Sequence, residues 1–139
     1  MKKFLAILLT TISFQIVAQN YTPTNLKESL IALDEHLTEE ERTQYLRYAE
    51  SEIVHAYNFS VGAYMRSHWG LNDESSRLHN YFKLRGIKNS HEMSNIILVS
   101  YYRVHHDNFI NLEAQIQEYI GEKELKKVKR RLKKAGKEL

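Results

Sequence analysis

The sequence predicts an all-α fold: a compact bundle of five to seven short helices around a buried central helix, plus a basic C-terminal helix. Three observations predict it. Apolar residues recur at helical spacing through most of the chain. Glycine and proline are scarce, five and one in 139 residues, which argues against sandwiches, barrels and low-complexity chains. Segment 93–104 (Met93, Ile96, Ile97, Leu98, Val99, Tyr101, Tyr102, Val104) is apolar on nearly every side, as a helix at the centre of a fold is. A buried strand over 96–102 is the competing reading of that one segment.

Residues 1–19 open with Lys2 and Lys3 and continue through an apolar run at 4–17. That is the pattern of a secretory signal peptide, and it falls short of the roughly 20 apolar residues of a spanning helix. Cleavage after Ala18 or Gln19 is expected, with the protein exported to the periplasm or secreted. The chain has no cysteine, so an exported domain here must be stable without disulfides. The same absence excludes thiolate metal sites, a cysteine nucleophile and a lipid-modified cysteine.

A helical domain is expected over 20–121. Leu26, Leu30, Leu33 and Leu37 form one helical stripe. Thr38 and Glu41 have the spacing of a capping box and start a second helix carrying Tyr45, Leu46 and Ala49. The short joint between the two suggests an antiparallel hairpin. Asn58 or Ser60 is placed to cap a third helix carrying Val61, Tyr64, Met65 and Trp69, which Gly70 closes. Residues 71–76 read as a polar loop. A fourth helix carries Leu78, Tyr81 and Phe82 and stops at Gly86. Ser90 is the expected N-cap of the fifth and central helix, with Glu92 favourable in its first turn. A sixth carries Leu112, Ile116, Tyr119 and Ile120 and is interrupted at Gly121.

The last stretch, 122–139, holds nine of the eighteen basic residues outside the leader but only three of the seventeen acidic ones. The formal charge of +3 therefore conceals a body at −5 and a tail at +6. Leu125, Val128, Leu132, Ala135 and Leu139 alternate three and four apart, an apolar seam over two heptads. Lys126, Lys127, Lys129, Arg130, Arg131, Lys133 and Lys134 lie off the seam as candidates for surface binding. The tail can fold back on the body, pair with another helix, or meet an anionic surface. An unknown protein partner or an anionic surface is the expected partner, and nucleic acid is the less favoured one. Lacking Trp and Phe, the tail is a poor membrane anchor.

The middle of the chain carries a distinctive pattern. It reads Tyr57-x-Phe59-x-x-Gly62-x-x-x-Arg66-x-x-Trp69-Gly70-Leu71, then Ser76-Arg77-Leu78-x-x-Tyr81-Phe82 and Gly86-Ile87. It continues with Met93-Ser94-x-Ile96-Ile97-Leu98-x-Ser100-Tyr101-Tyr102-Arg103. This resembles a small uncharacterised bacterial domain family, a domain of unknown function. The resemblance extends more weakly over 26–50 and leaves 107–139 outside. It departs at 72–75, Asn-Asp-Glu-Ser here, where the family often has a second Trp and glycines. The resemblance implies a fold and supplies no catalytic residue, substrate or cofactor.

Candidate chemistry is sparse. His91-Glu92 begins like the zinc helix H-E-x-x-H, but Asn95 stands at the second ligand position. The adjacent His105 and His106 diverge by about 100° on a helix and do not easily share an ion. No metal or cofactor is expected. Ser94 and Ser100 lack a nucleophile elbow or triad pattern, and a hydroxyl bonded back to a helix carbonyl is their ordinary role. Asp34-Glu35 and Glu39 to Glu41 lie at helix ends, where dipole and capping roles suffice. No catalytic residue is assigned. Arg66, Arg77 and Arg103 are more suggestive, because each lies in an aromatic, otherwise apolar stretch. A guanidinium there must be paired, stacked or aimed at a ligand. With Trp69 they form a candidate anion pocket, in a ligand-binding protein or enzyme; held by their own chain, they favour a non-enzymatic interaction module.

Overall fold

A computed structural model describes residues 21–139; the expected leader at 1–19 lies outside the described residues. The described chain is all helix and connecting loop, without a strand. The order is α1 (Leu26–His36), α2 (Glu39–Tyr45), α3 (Glu50–Tyr57), a π-helical turn (Asn58–Gly62), α4 (Ala63–His68), α5 (Arg77–Leu84), α6 (Ser90–His105) and α7 (Leu112–Lys134).

Local chemistry sets most boundaries. Asn25 accepts from the Glu28 backbone N–H to start α1. Thr38 and Glu41 form the expected capping box, with bonds of 3.2 and 2.8 Å, so the first free donors of α2 are satisfied. α2 ends sooner than its periodicity suggests. Residues 46–49 leave the helix, and Glu52 accepts from the Ala49 N–H at 2.9 Å to begin α3.

Neither Asn58 nor Ser60 starts a helix. The chain runs from α3 through the π turn into α4, and the Asn58 side chain accepts from Arg66 instead. At the N-terminus of α6 the cap is Asn89, which accepts from the His91 N–H at 2.8 Å; Ser90 is already helical. Ser76 caps α5. Gly70 and Gly86 take positive φ at the expected helix ends. The 71–76 loop is polar except for Leu71, which is fully buried.

α6 is the centre. Met93, Ile96, Ile97 and Leu98 are completely buried and Tyr101 nearly so, packed with Leu33, Tyr45, Ile53, Met65, Trp69, Leu78 and Phe82. It surfaces only at its two ends, at His91 in the first turn and at Val104 and His105 in the last. Two phenols brace it by donating to backbone carbonyls: Tyr45 to Leu98 at 2.7 Å and Tyr102 to Tyr48 at 2.8 Å.

α7 is sharply bent at Gly121, whose φ of 75° and ψ of 165° belong to a region essentially reserved for glycine. Glu113 and Lys129 pair across the bend. In a straight helix those positions would lie about 24 Å apart. Beyond the bend, Leu125, Val128 and Leu132 are buried, so the basic segment is docked through its seam. No described helix is long and apolar enough to cross a membrane.

Candidate functional site

Arg66 lies on α4, 6% exposed. The π turn widens the backbone around it, and Gly62 leaves room: a Cβ there would stand 3.0 Å from Arg66 Nη1. Nη1 donates to Asn58 Oδ1 (2.9 Å) and Ser94 Oγ (2.8 Å), and Nη2 donates to the Asn58 carbonyl (2.9 Å). Burial lowers its pKa, yet its known partners are all neutral. The guanidinium is thus built in as a connector between the π turn and α6.

Arg103 stands nine residues beyond Ser94 on the same helix, about 13 Å further along the axis. Its Nε and Nη2 donate to Glu50 Oε1 (3.0 and 2.6 Å), and its Nη1 donates to the Ile110 carbonyl (2.7 Å). The Glu50 hydrogen bond raises its pKa. Arg77 is exposed at the start of α5, beside an open groove of about 520 Å³ shared with Tyr21, Glu28 and Trp69. Trp69 itself is 5% exposed and belongs to the core. The three arginines therefore do not converge: two are held by their own chain at opposite ends of α6, and the third faces solvent near α1.

Two polar assemblies escaped the sequence pattern. Asp34 Oδ1 accepts from Tyr101 Oη at 3.0 Å and meets Arg42 Nε and His105 Nε2 at 3.2 Å each. This clasp ties α1, α2 and α6 together through residues 71 positions apart at the extremes, a separation that no local motif encodes. Arg85 is 8% exposed, stacks on the Tyr81 ring at 3.7 Å and donates to the Tyr81 and Glu138 carbonyls. Its signal in the sequence is the Tyr81–Arg85 spacing of four, which aligns the two on one helical face.

The serines are structural. Ser94 donates back to the His91 carbonyl at 2.9 Å, as expected, while Ser100 accepts from Gln115 Nε2 at 3.1 Å. His106 bonds the Tyr102 carbonyl. Among the described residues, no three His, Asp or Glu side chains gather in a metal-binding arrangement.

On the basic segment the seam points inward, so the opposite face follows from a turn of about 100° per residue. Lys123, Arg130 and Lys134 sit opposite the seam, flanked by Lys126 and Lys127. Among the described residues, no acidic group pairs with Lys123, Arg130, Lys133 or Lys134. Lys126 and Lys127 meet only Glu122 and Glu124 of their own helix, at 2.9 and 3.2 Å, and Arg131 meets Glu124 at 3.8 Å.

The arrangement defines a compact helical domain whose buried Arg66 and Arg85 are bonded to their own chain and whose C-terminal cations are gathered on one outward helix face. The family model for the domain of unknown function DUF6794 matches residues 22–105, more than half the chain, which belongs to that family. No curated protein and no solved structure matches the chain.

Proposed function

We propose that this is an exported, non-enzymatic interaction module that engages an anionic partner through its C-terminal helix. The observation that carries this reading is the outward face of residues 123–134: its apolar seam is spent on the core, and Lys123, Arg130, Lys133 and Lys134 are exposed with no acidic partner among the described residues. Such a surface attracts acidic partners by charge, with an affinity that falls as salt rises. The internal partners of Arg66 and Arg103 support a module over an anion pocket, because neither guanidinium is free to take a ligand.

Export rests on the pattern of residues 1–19. Expressing the full chain in a bacterial host and weighing the product in the export fraction tests it. Loss of residues 1–18 or 1–19 is expected; an unprocessed chain in the cytoplasm overturns export. For binding, the Lys123→Glu/Arg130→Glu/Lys134→Glu variant should elute from a cation exchanger at much lower salt than the parent. Equal elution would overturn the role of this face.

A further inference from the structure

We infer that the outward face of the C-terminal helix seats on anionic phospholipid headgroups at a bilayer surface, by charge and without insertion. This rests on the interaction-module reading and names its partner.

Three features favour a lipid surface. Lys123, Lys126, Lys127, Arg130 and Lys134 lie within an arc of about 100°, and residues 123–134 span about 16 Å of helix axis. Glu122 and Glu124 fall on the flanks of that arc, so its centre is purely cationic. A straight cationic ridge of this length meets several headgroups of a flat layer at once.

The second feature lies at the C-terminal end of the ridge. Lys133 and Lys137, with Lys129 paired to Glu113 beside them, border an open groove of about 550 Å³ over Leu132 and Leu139, and Glu138 also lines it. Ammonium groups around an apolar floor suit a phosphate carried on a glycerol backbone, which has both a charged and an apolar part. The phosphate edge of a nucleic acid offers no counterpart to that floor.

Third, the body is acidic at −5, so an anionic layer repels it while attracting the helix. That opposition fixes one orientation, helix down and body away. Insertion is ruled out by the fold, because Leu125, Val128 and Leu132, the residues an interfacial helix would bury in lipid, are already buried in the protein.

The test is sedimentation with vesicles of phosphatidylcholine alone and of phosphatidylcholine with about a quarter phosphatidylglycerol. It uses protein purified from the export fraction after expression of the full chain. Binding is expected to the mixed vesicles only, with release on raising salt. Each cation near an anionic surface contributes about a five-fold change in partitioning. Lys123→Glu/Arg130→Glu/Lys134→Glu should therefore weaken binding by about a hundredfold or more, while circular dichroism confirms that it folds. The control Lys83→Glu/Lys88→Glu, on the body, should bind nearly as the parent does. Equal binding by the triple variant overturns the inference. So does failure to bind the mixed vesicles by a protein still held on the cation exchanger, in which case the module reading stands and lipid is excluded.

Discussion

Arg66 Nη1 donates to Ser94 Oγ at 2.8 Å, joining α4 to the central helix across 28 positions of sequence. Ser94 is fully buried and its own hydroxyl proton is committed to the His91 carbonyl. With no carboxylate among its bonding partners, the guanidinium depends on this acceptor and on Asn58. Removing one acceptor leaves a buried charged donor unsatisfied, which costs about 1.5–3 kcal/mol. Ser94→Ala should lower the free energy of urea unfolding by that amount. Arg66→Lys should cost at least as much, because a single ammonium does not reproduce the fork to Asn58 O and Oδ1. An unchanged unfolding midpoint in both would refute the connector role.

Gly62 tests the same joint from the other side. Its φ is an ordinary helical −60°, so alanine would gain about 1 kcal/mol by helix propensity alone. The added Cβ would instead stand 3.0 Å from Arg66 Nη1 and 3.4 Å from the Tyr57 carbonyl. The guanidinium is tied by three hydrogen bonds and yields poorly, so a net loss of about 1 kcal/mol is expected for Gly62→Ala. In an Arg66→Met background the penalty should shrink or reverse. A double-mutant cycle on unfolding free energies measures that coupling.

The contrast between α6 and the π turn shows what the sequence made legible. Residues 93–104 are apolar around the helix, so burial was readable from pattern alone; Leu125, Val128 and Leu132 likewise announced their seam. The capping box at Thr38 and Glu41 is local and was visible at once. The π turn was not, because Asn58 and Ser60 are good N-caps in isolation, and only the distant demand of Arg66 draws Asn58 inward. The same holds for Arg103: its aromatic setting signalled a partner, but Glu50 and Ile110 come to it through tertiary packing. The Asp34 clasp spans α1 to α6, and Asp34 by itself looks like any helix-end acid.

Alkali should unfold the protein through its buried phenols. Burial, and then the hydrogen bond donated to Asp34, push Tyr101 up to about 12, and burial pushes Tyr45 above its ordinary value of 10.0. The native state keeps these protons at a pH where the unfolded chain has released them. Their contribution is therefore complete below about pH 10 and is lost as the pH rises toward 12. Unfolding free energy measured from pH 8 to 12 should fall steeply over the upper two units. Tyr101→Phe should flatten that decline, and an unaltered slope would count against Tyr101 as its source.

Arg103 governs the loop between α6 and α7. Besides Glu50 it holds the Ile110 carbonyl at 2.7 Å, anchoring a loop in which Asp107 and Asn111 adopt positive φ and Phe109 is 94% exposed. Arg103→Lys cannot serve Glu50 and Ile110 together with the same geometry. A stability loss of about 1–2 kcal/mol is expected, with faster amide exchange confined to the neighbourhood of 106–111. Exchange that rises uniformly across the protein, with no local excess, would contradict a local anchoring role.

Gly86 decides whether the basic helix stays seated. Its φ of +93° already disfavours a side chain, and a Cβ would come within 2.9 Å of Ile120 Cδ1 and 3.0 Å of Val128 Cγ2. Both contacts are side chains of α7, one on each side of the bend at Gly121. Gly86→Ala must displace them, strain the end of α5, or both, at a cost of about 2–4 kcal/mol. Leu132→Ala, which removes seam contacts without touching Gly86, should cost a similar 2–5 kcal/mol. A freely solvated tail would not register Leu132→Ala, and would register Gly86→Ala only through the strain of its positive φ. In both variants trypsin should cleave first between 123 and 134, where the docked helix otherwise protects its many lysines and arginines by holding their backbone in hydrogen bonds. Cleavage elsewhere at unchanged stability would mean that the seam contributes nothing to holding this helix in place.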